Sequence, residues 1–407
     1  MKAKHILVLA ALCSLASASV GVCMNTAGLF YNPIAEDLSV SVGSVSLTVT
    51  ILTVASSFSG LLVPKIMKEN TVFWIVACGM VLMSGGALIM SFAESVFLLY
   101  AGSILKGFGS GLVNFILITA ISNNWFYKSH GLITSVILSF SGIPGVILSP
   151  LIRSMILTYG WRTANTGIAV LLALLCLPFL LFRVTIRPEK QGLKPYGYEE
   201  FIAEKEKGNI RVISSADENF SFHTPLFALT STYMILVCLA AALPNHLPAY
   251  AESISMAGIS GIILSMTLAG NIVSKLIFGI IVDRSSARNA IFLCAALSLS
   301  AMTVLILHPS ELIVLIASFI ANFTAANSAT GVTMIVSDMF GEKNYSTAYP
   351  VISFIGSYAM AFSSAAMGFM YDLTGSYTVI FACIMAIQAA VIIVTMTSYS
   401  FRKKELV

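Results

Sequence analysis

Charge is what this chain of 407 residues has little of: Asp, Glu, Lys and Arg together make up 10% of it, against 57% hydrophobic residues. A soluble domain carries about 25% charged residues. Too little polar surface is therefore available to cover a protein of this length in water, and most of its exterior must face lipid. A cysteine framework is also missing. All seven cysteines fall in apolar runs and none forms a Cys-x-x-Cys pair, which argues against a zinc ribbon or a disulfide scaffold. No Gly-x-x-x-x-Gly-Lys-Ser/Thr stretch occurs, so direct drive by ATP is not expected. The glycine-rich Gly107-Phe-Gly109-Ser-Gly111 follows no strand pattern and is no phosphate loop. Clustered His, Asp, Glu or Cys near the ends of the apolar runs, as a membrane enzyme needs, are absent too. Neither enzymatic activity nor a cofactor is expected.

What the chain does have is apolar runs long enough to cross a hydrocarbon core, which takes roughly 20 helical residues. They fall at 5–30, 42–63, 71–92, 96–122, 131–152 and 163–182, then at 225–247, 258–282, 290–308, 312–336, 346–371 and 378–400. The expectation is an all-α membrane protein of twelve transmembrane helices. Met1-Lys-Ala-Lys with an apolar run and Ala-Ser-Ala has the look of a signal peptide. The run continues past Cys23 to Phe30, however, so it reads as the first span.

Basic residues orient such a chain through its short loops. With both termini in the cytoplasm, 18 of the 22 Lys and Arg lie inside, Arg153 and Arg162 lie outside, and Lys106 and Lys275 fall within spans. The expected location is the plasma (inner) membrane. The two sets of six runs echo each other. Gly60-Leu-Leu-Val-Pro64-Lys65 ends the second and Gly279-Ile-Ile-Val-Asp283-Arg284 ends the eighth, while Trp125-Phe126-Tyr-Lys128 and Met339-Phe340-Gly-Glu-Lys343 follow the fourth and tenth. Such an offset of about 215 residues, kept at equivalent helix ends, is a parallel repeat. The domains read as a first half at 1–182, a cytoplasmic linker at 183–224 and a second half at 225–407. The linker reads as solvated, or as a short surface helix with Tyr198, Phe201 and Ile202 along one side.

An ionisable group at mid-bilayer costs at least ~2.5–3.5 kcal/mol to insert and marks a functional site by default. Lys275 lies eight residues from Asp283, about 12 Å of helix, against a hydrocarbon half-thickness of about 15 Å. Lys106 lies eleven residues beyond Ser95, about 16 Å. No carboxylate occupies the middle of any span, since Glu94, Asp338 and Asp372 sit at span ends. Two buried cations without a protein counter-ion imply that the counter-ion arrives as an anionic cargo. Lys106 has a second reading, as a brace in the small-residue packing around Gly107 and Gly109. His246, in Pro244-Asn-His246-Leu-Pro248, is a gating or proton-relay candidate, or an interfacial structural histidine. Asn25, Tyr31, Tyr233 and Tyr349 are further polar candidates.

Gly279-x-x-x-Asp283-Arg284-x-x-x-Arg288 resembles the loop signature of the major facilitator superfamily, and its first-half copy carries Pro64 in place of the Asp. Within that superfamily the chain is similar to the oxalate/formate antiporter and monocarboxylate transporter group. The similarity rests on Phe30-Tyr-Asn-Pro33, Asn124-Trp125-Phe126 leading to Gly131, Gly160-Trp161-Arg162, and Pro188-Glu189-x-x-Gly192-Leu193-x-Pro195-Tyr196-Gly197. The resemblance implies two pseudo-symmetric six-helix halves that rock about a midplane site. It gives Asp283, Arg284 and Arg288 a gating role and Lys275 the role of a carboxylate anchor. It also implies a titratable Asp four residues before that cation, where this chain has Asn271. The second cation of the oxalate antiporters would lie in the eleventh span, and no Lys or Arg occurs from Ser346 to Gly375. A monocarboxylate carrier working as a monomer is the leading expectation, with Lys275, Lys106, Asn271, Tyr349 and Tyr31 at the substrate site. Efflux of an amphipathic drug-like compound and a non-transporting sensor of the same fold are the alternatives. No nucleic-acid partner is expected.

A reporter fused after Gly192 is expected to read as cytoplasmic, and one inserted between Ser310 and Glu311 as external. An external signal from the central linker would overturn the twelve-span topology.

Overall fold

The computed structural model describes residues 3–127, 130–199, 221–307 and 310–405. It is helical throughout. Eleven helical stretches among the described residues are long and apolar enough to cross a membrane. In the first half these are α1 (Ala3–Leu38), α2 (Val42–Ile66), α3 (Val72–Ser91), α4 (Val96–Trp125) and a 46-residue stretch, Val136–Leu181. As one straight helix that last stretch would run about 69 Å, more than twice a hydrocarbon core of about 30 Å. It turns at Gly160, whose φ of 82° and ψ of 162° no helix contains. We number its arms α5 (136–159) and α6 (161–181), which brings the crossings to twelve. The second half holds α7 (Pro225–Ser253), α8 (Ala257–Arg284), α9 (Ala287–Ile306), α10 (Glu311–Gly341), α11 (Thr347–Thr374) and α12 (Tyr377–Arg402). Here Gly341, at φ 70° and ψ 170°, turns the chain from α10 to α11.

The chain forms two compact units. Residues 1–40 and 48–212 make the first, and residues 41–47 and 213–407 make the second. Within the first unit, glycine decides how closely the helices approach. A Cβ built on Gly86 of α3 would stand 2.5 Å from the Gly102 carbonyl oxygen and from the Lys106 nitrogen of α4. One built on Gly109 of α4 would stand 2.6 Å from the Gly79 carbonyl oxygen. On another face of α4, Gly107 abuts the Leu52 backbone and Gly111 abuts Ser56 and Ser59, all of α2. With lipid as solvent no hydrophobic force presses helices together, so this close van der Waals contact is the main cohesive term. In the second unit, buried Tyr233, Val237, Phe278, Ile291, Val332, Ile335 and Val391 from α7 to α12 form one core. Tyr250, Phe381, Ile384 and Met302 anchor a second.

Among the described residues α5 is interrupted by a turn at Phe140–Gly142, and four further spans are broken. The helix of α1 widens to a π-turn over Ser17–Val22 and tightens to a 3-10 turn over Ala27–Phe30. In α4 the helix stops at Leu112 and restarts after Asn114, whose side chain accepts the Ile116 N–H. Span α7 is interrupted between Leu239 and Leu243, and α10 at Asn322 and again by a π-turn over Asn327–Gly331. These are the first, fourth, seventh and tenth spans, a spacing of three that matches the internal repeat seen in the sequence. Discontinuous spans of this kind build substrate sites in transporters.

The first part of the linker makes ordered backbone contacts that its composition does not suggest. Arg183–Tyr196 pairs by its backbone with the first unit, while Arg183, Arg187, Glu189 and Lys190 stay exposed. The Glu69 carboxylate accepts the Ile186 and Arg187 N–H groups at 3.1 and 2.9 Å. Trp125 Nε1 donates to the Thr185 carbonyl at 2.8 Å. Tyr196 N–H donates to the Trp125 carbonyl, and Tyr127 N–H to the Tyr196 carbonyl, at 2.8 and 2.9 Å. Phe201 and Ile202, like Lys128 and the basic residues Lys205, Lys207 and Arg211, lie outside the described residues. All seven cysteines are free, with Cys78 and Cys383 exposed and the other five buried.

Gly85 and Gly86 adjoin in α3, and a Cβ at Gly85 would meet nothing within 4 Å. Gly86→Ala is therefore expected to destabilise the chain by about 1–3 kcal/mol through overpacking. Gly85→Ala should be neutral, or stabilising by about 0.4–1 kcal/mol. Thermal unfolding of the two variants in detergent checks the difference, and equal midpoints would refute the seam.

Candidate functional site

Helix α8 carries the best candidate. Ser274 and Phe278 are fully buried, and Gly270 is driven against the Phe319 backbone of α10. Leu276 and Ile280, at 65% and 51% exposure, mark the opposite face as open. At 100° per residue Lys275 projects from the flank between those faces, with Asn271 one turn away on the same side. Both are half-buried. Ser274 Oγ donates back to the Asn271 carbonyl at 2.9 Å, fixing that turn. Among the described residues the ion pairs are Arg162–Asp37 and Lys194–Glu199, so Lys275 has no carboxylate partner there. Lys275 thus stands one turn from a neutral amide, and among the described residues no carboxylate pairs with it.

Lys106 is placed differently. It is 5% exposed, and its backbone nitrogen and Cβ lie on the glycine seam against α3. Its carbonyl lies 3.9 Å from Cys23 Sγ of α1. One turn on, Ser110 Oγ donates to the Ser19 carbonyl in the π-turn of α1 at 2.8 Å. Lys106 is thus built into the packing of α1, α3 and α4, and among the described residues it too has no ion-pair partner.

Of the other candidates, Tyr31 is buried just after the 3-10 turn of α1. Asn25 Nδ2 donates to the Ser141 carbonyl at 2.9 Å, tying α1 to α5. Tyr233 OH donates to the Asn327 carbonyl in the π-turn of α10 at 3.1 Å. Tyr349 is half-buried and stacks on Tyr345, with ring centres 5.0 Å apart. His246 is fully buried in α7 with Nε2 2.9 Å from the Ser364 carbonyl of α11. Because a carbonyl can only accept, that nitrogen carries the proton. Its ring lies 6.3 Å from Tyr377, in a cluster with Tyr250 and Phe381. Asp283, Arg284 and Arg288 are exposed at the α8–α9 turn. Arg288 lies over the Phe292 ring, and Ser286 caps α9 through the Asn289 N–H.

Several polar residues that the sequence did not single out have firm structural places. Asp37 accepts from Trp161 Nε1 at 3.2 Å and from Arg162 at 2.5 Å, which accounts for the Trp161-Arg162 pair. Asp372 of α11 accepts the Val42 and Gly43 N–H groups at 3.1 and 2.8 Å. Tyr399 of α12 donates to Asp338 of α10. His5 Nε2 donates to the Lys194 carbonyl at 3.1 Å, with its ring edge-on to Trp125. The partners of Asp37 lie more than 120 residues away in the chain, a distance no local motif spans.

The fold has counterparts among solved structures. Solved structures with the same fold include the nucleoside transporter NupG, with a TM-score of 0.71 and 12% identity over 98% of this chain and 99% of that one. The peptide transporter POT in complex with sulfate matches with a TM-score of 0.71, 12% identity and coverage of 98% and 94%. Identities that low speak for the fold alone. Among curated proteins, monocarboxylate transporter 12 of Mus musculus is 26% identical over 330 residues, covering 75% of this chain and 67% of that one. The Homo sapiens protein of that name is 24% identical over 328 residues, covering 75% and 63%. The chain thus spans about two thirds of the length of these relatives. The profile of the Major Facilitator Superfamily matches residues 9–266 and again 225–405. Two overlapping matches, which together cover nearly the whole of a twelve-span fold, make the chain a member of the Major Facilitator Superfamily, a secondary transporter and not an enzyme.

Proposed function

We propose that the chain carries a small organic anion, most simply a monocarboxylate, with Lys275 as the anchor for its carboxylate. The observation that carries this reading is the half-buried ammonium on the flank of α8, about 12 Å of helix from Asp283 and without a carboxylate partner among the described residues. An uncompensated charge at that depth is costly, and a carboxylate on the cargo would offset the cost during binding. The names of the relatives point to the same class of substrate. Asn271, Tyr31 and Tyr349 are the neutral polar groups assigned to the site, with Lys106 as the second cation. Asp283, Arg284, Arg288 and His246 are assigned to gating. The chain works as a monomer in the plasma (inner) membrane with both termini in the cytoplasm, the orientation that the basic residues favour. Because Asn271 does not titrate, α8 supplies no carboxylate to pick up a proton beside the cation, and exchange of anions or facilitated diffusion is the coupling expected.

Lys275→Ala in proteoliposomes is expected to insert normally and to lose carboxylate binding by roughly 1.5–3 kcal/mol, the contribution of a hydrogen bond to a charged group. Lys275→Arg should keep partial binding with altered selectivity, since a planar fork replaces a point charge. Unchanged affinity in Lys275→Ala would favour efflux of a drug-like compound instead. Asn271→Asp should make transport more pH-dependent by placing a titratable group one turn from the cation. Strict substrate-linked proton movement in the unmodified protein would contradict the coupling assigned here.

A further inference from the structure

The folded start of the linker and the end of α4 border a half-open cavity of about 700 Å³ lined by Asn124, Tyr127 and the exposed Arg187, Glu189 and Lys190. Two stretches that the transport reading leaves unused meet here: Asn124-Trp125-Phe126 and the Pro188–Tyr196 segment. The frame around the cavity is rigid. Glu69 holds the Arg187 backbone, Trp125 holds Thr185, and Tyr196 pairs on both sides with the end of α4. Gln191 Nε2 donates to the Arg183 carbonyl at 2.9 Å, and Leu193 N–H to the Pro188 carbonyl at 3.1 Å, closing the loop on itself. Asn124 Nδ2 is already committed to the Ala120 carbonyl at 2.7 Å.

Into this frame project one guanidinium and one ammonium, and among the described residues neither makes an ion pair. With Glu189 the lining has a net charge of +1. The cavity sits where α4 and α6 end, and phosphate-bearing headgroups lie beyond the ends of helices that cross a hydrocarbon core. Arginine binds phosphate through a two-pronged fork and lysine through a compact point charge, so the pair suits one phosphate approached from two sides. Basic pockets at the ends of spans are the form that recognition of anionic headgroups takes.

We propose that this cavity is a binding site for a phosphate group, held by Arg187 and Lys190 and separate from the transport site on α8. An anionic phospholipid headgroup or a soluble phosphate would supply the same chemistry. The proposal is independent of Lys275 and of the substrate, and binding in detergent does not depend on which side of the membrane the linker faces.

The test uses the full chain in a neutral detergent, with thermal unfolding followed during titration with short-chain phosphatidylglycerol, short-chain phosphatidylcholine or inorganic phosphate. Phosphatidylglycerol is expected to raise the midpoint saturably, with an apparent affinity that falls as salt is added. Arg187→Gln combined with Lys190→Gln should weaken that affinity by about tenfold or more. Glu189→Gln should tighten it by removing the opposing charge, a gain that unfolding of the variant cannot imitate. Saturable stabilisation by inorganic phosphate but not by the lipid, lost in the same double variant, would assign the site to a soluble phosphate. Equal affinities in the unmodified chain and the double variant, or no saturable effect of either ligand, would overturn the proposal.

Discussion

In hydrocarbon no water is available to pair a backbone N–H or C=O, and each unpaired group costs several kcal/mol. That constraint governs where this chain can depart from regular helix. Every broken span is served by polar side chains at its break. Ser110 donates to the freed Ser19 carbonyl of α1, and Thr26 to the Val22 carbonyl. Asn114 caps the restart of α4. Ser363 of α11 donates to the Leu239 carbonyl at the gap in α7, at 2.5 Å. In α10, Tyr233 serves the Asn327 carbonyl and Gln388 of α12 donates to Thr324 at 2.9 Å. A subset of the buried serines, threonines and asparagines of this apolar chain thus serves the irregular first, fourth, seventh and tenth spans, while others, such as Thr230 and Thr267, bond back within regular helix. Irregular spans are also the ones able to present backbone carbonyls and polar side chains to a cargo.

A second constraint works beside the first. Because lipid supplies no hydrophobic drive, cohesion depends on how closely backbones approach, and the glycines of α3 and α4 set that distance. Lys106 is caught in this seam, whereas Lys275 stands on the flank of its helix. The two intramembrane cations are equal by depth arithmetic but differ in surroundings, one embedded in packing and the other beside a neutral amide.

Much of the fold is legible in the sequence because apolar runs near 20 residues have few alternatives in a bilayer. The turns at Gly160 and Gly341 fall between runs that the sequence already separates, although the single glycine that makes each turn is not marked by loop composition. Span α1 continues through Tyr31–Leu38 to Ser39, further than the apolar run, because polar Asn32, Glu36 and Asp37 end the run without ending the helix. The charges of the linker dominate its composition, and its backbone pairing over Arg183–Tyr196 leaves no mark there. What folds it is backbone pairing to Trp125 and Glu69, which composition does not record. For the site, depth and charge point to both lysines, yet only packing separates them. The helix cap made by Asp372 and the side-chain bonds of Asp37 and Asp338 rest on contacts between distant parts of the chain, which a single sequence does not reveal.

The seam between α3 and α4 also bears on how such a scaffold can diversify. Glycine contacts at Gly79, Gly86, Gly102 and Gly109 recur along one face of α4, while Gly107 and Gly111 pin another. The helix is thereby keyed in rotation like a shaft with two splines. Acquiring a new cargo by turning α4 would require several of these glycines to give way together, so changes of selectivity are channelled into exchanging the side chains that the two splines leave free.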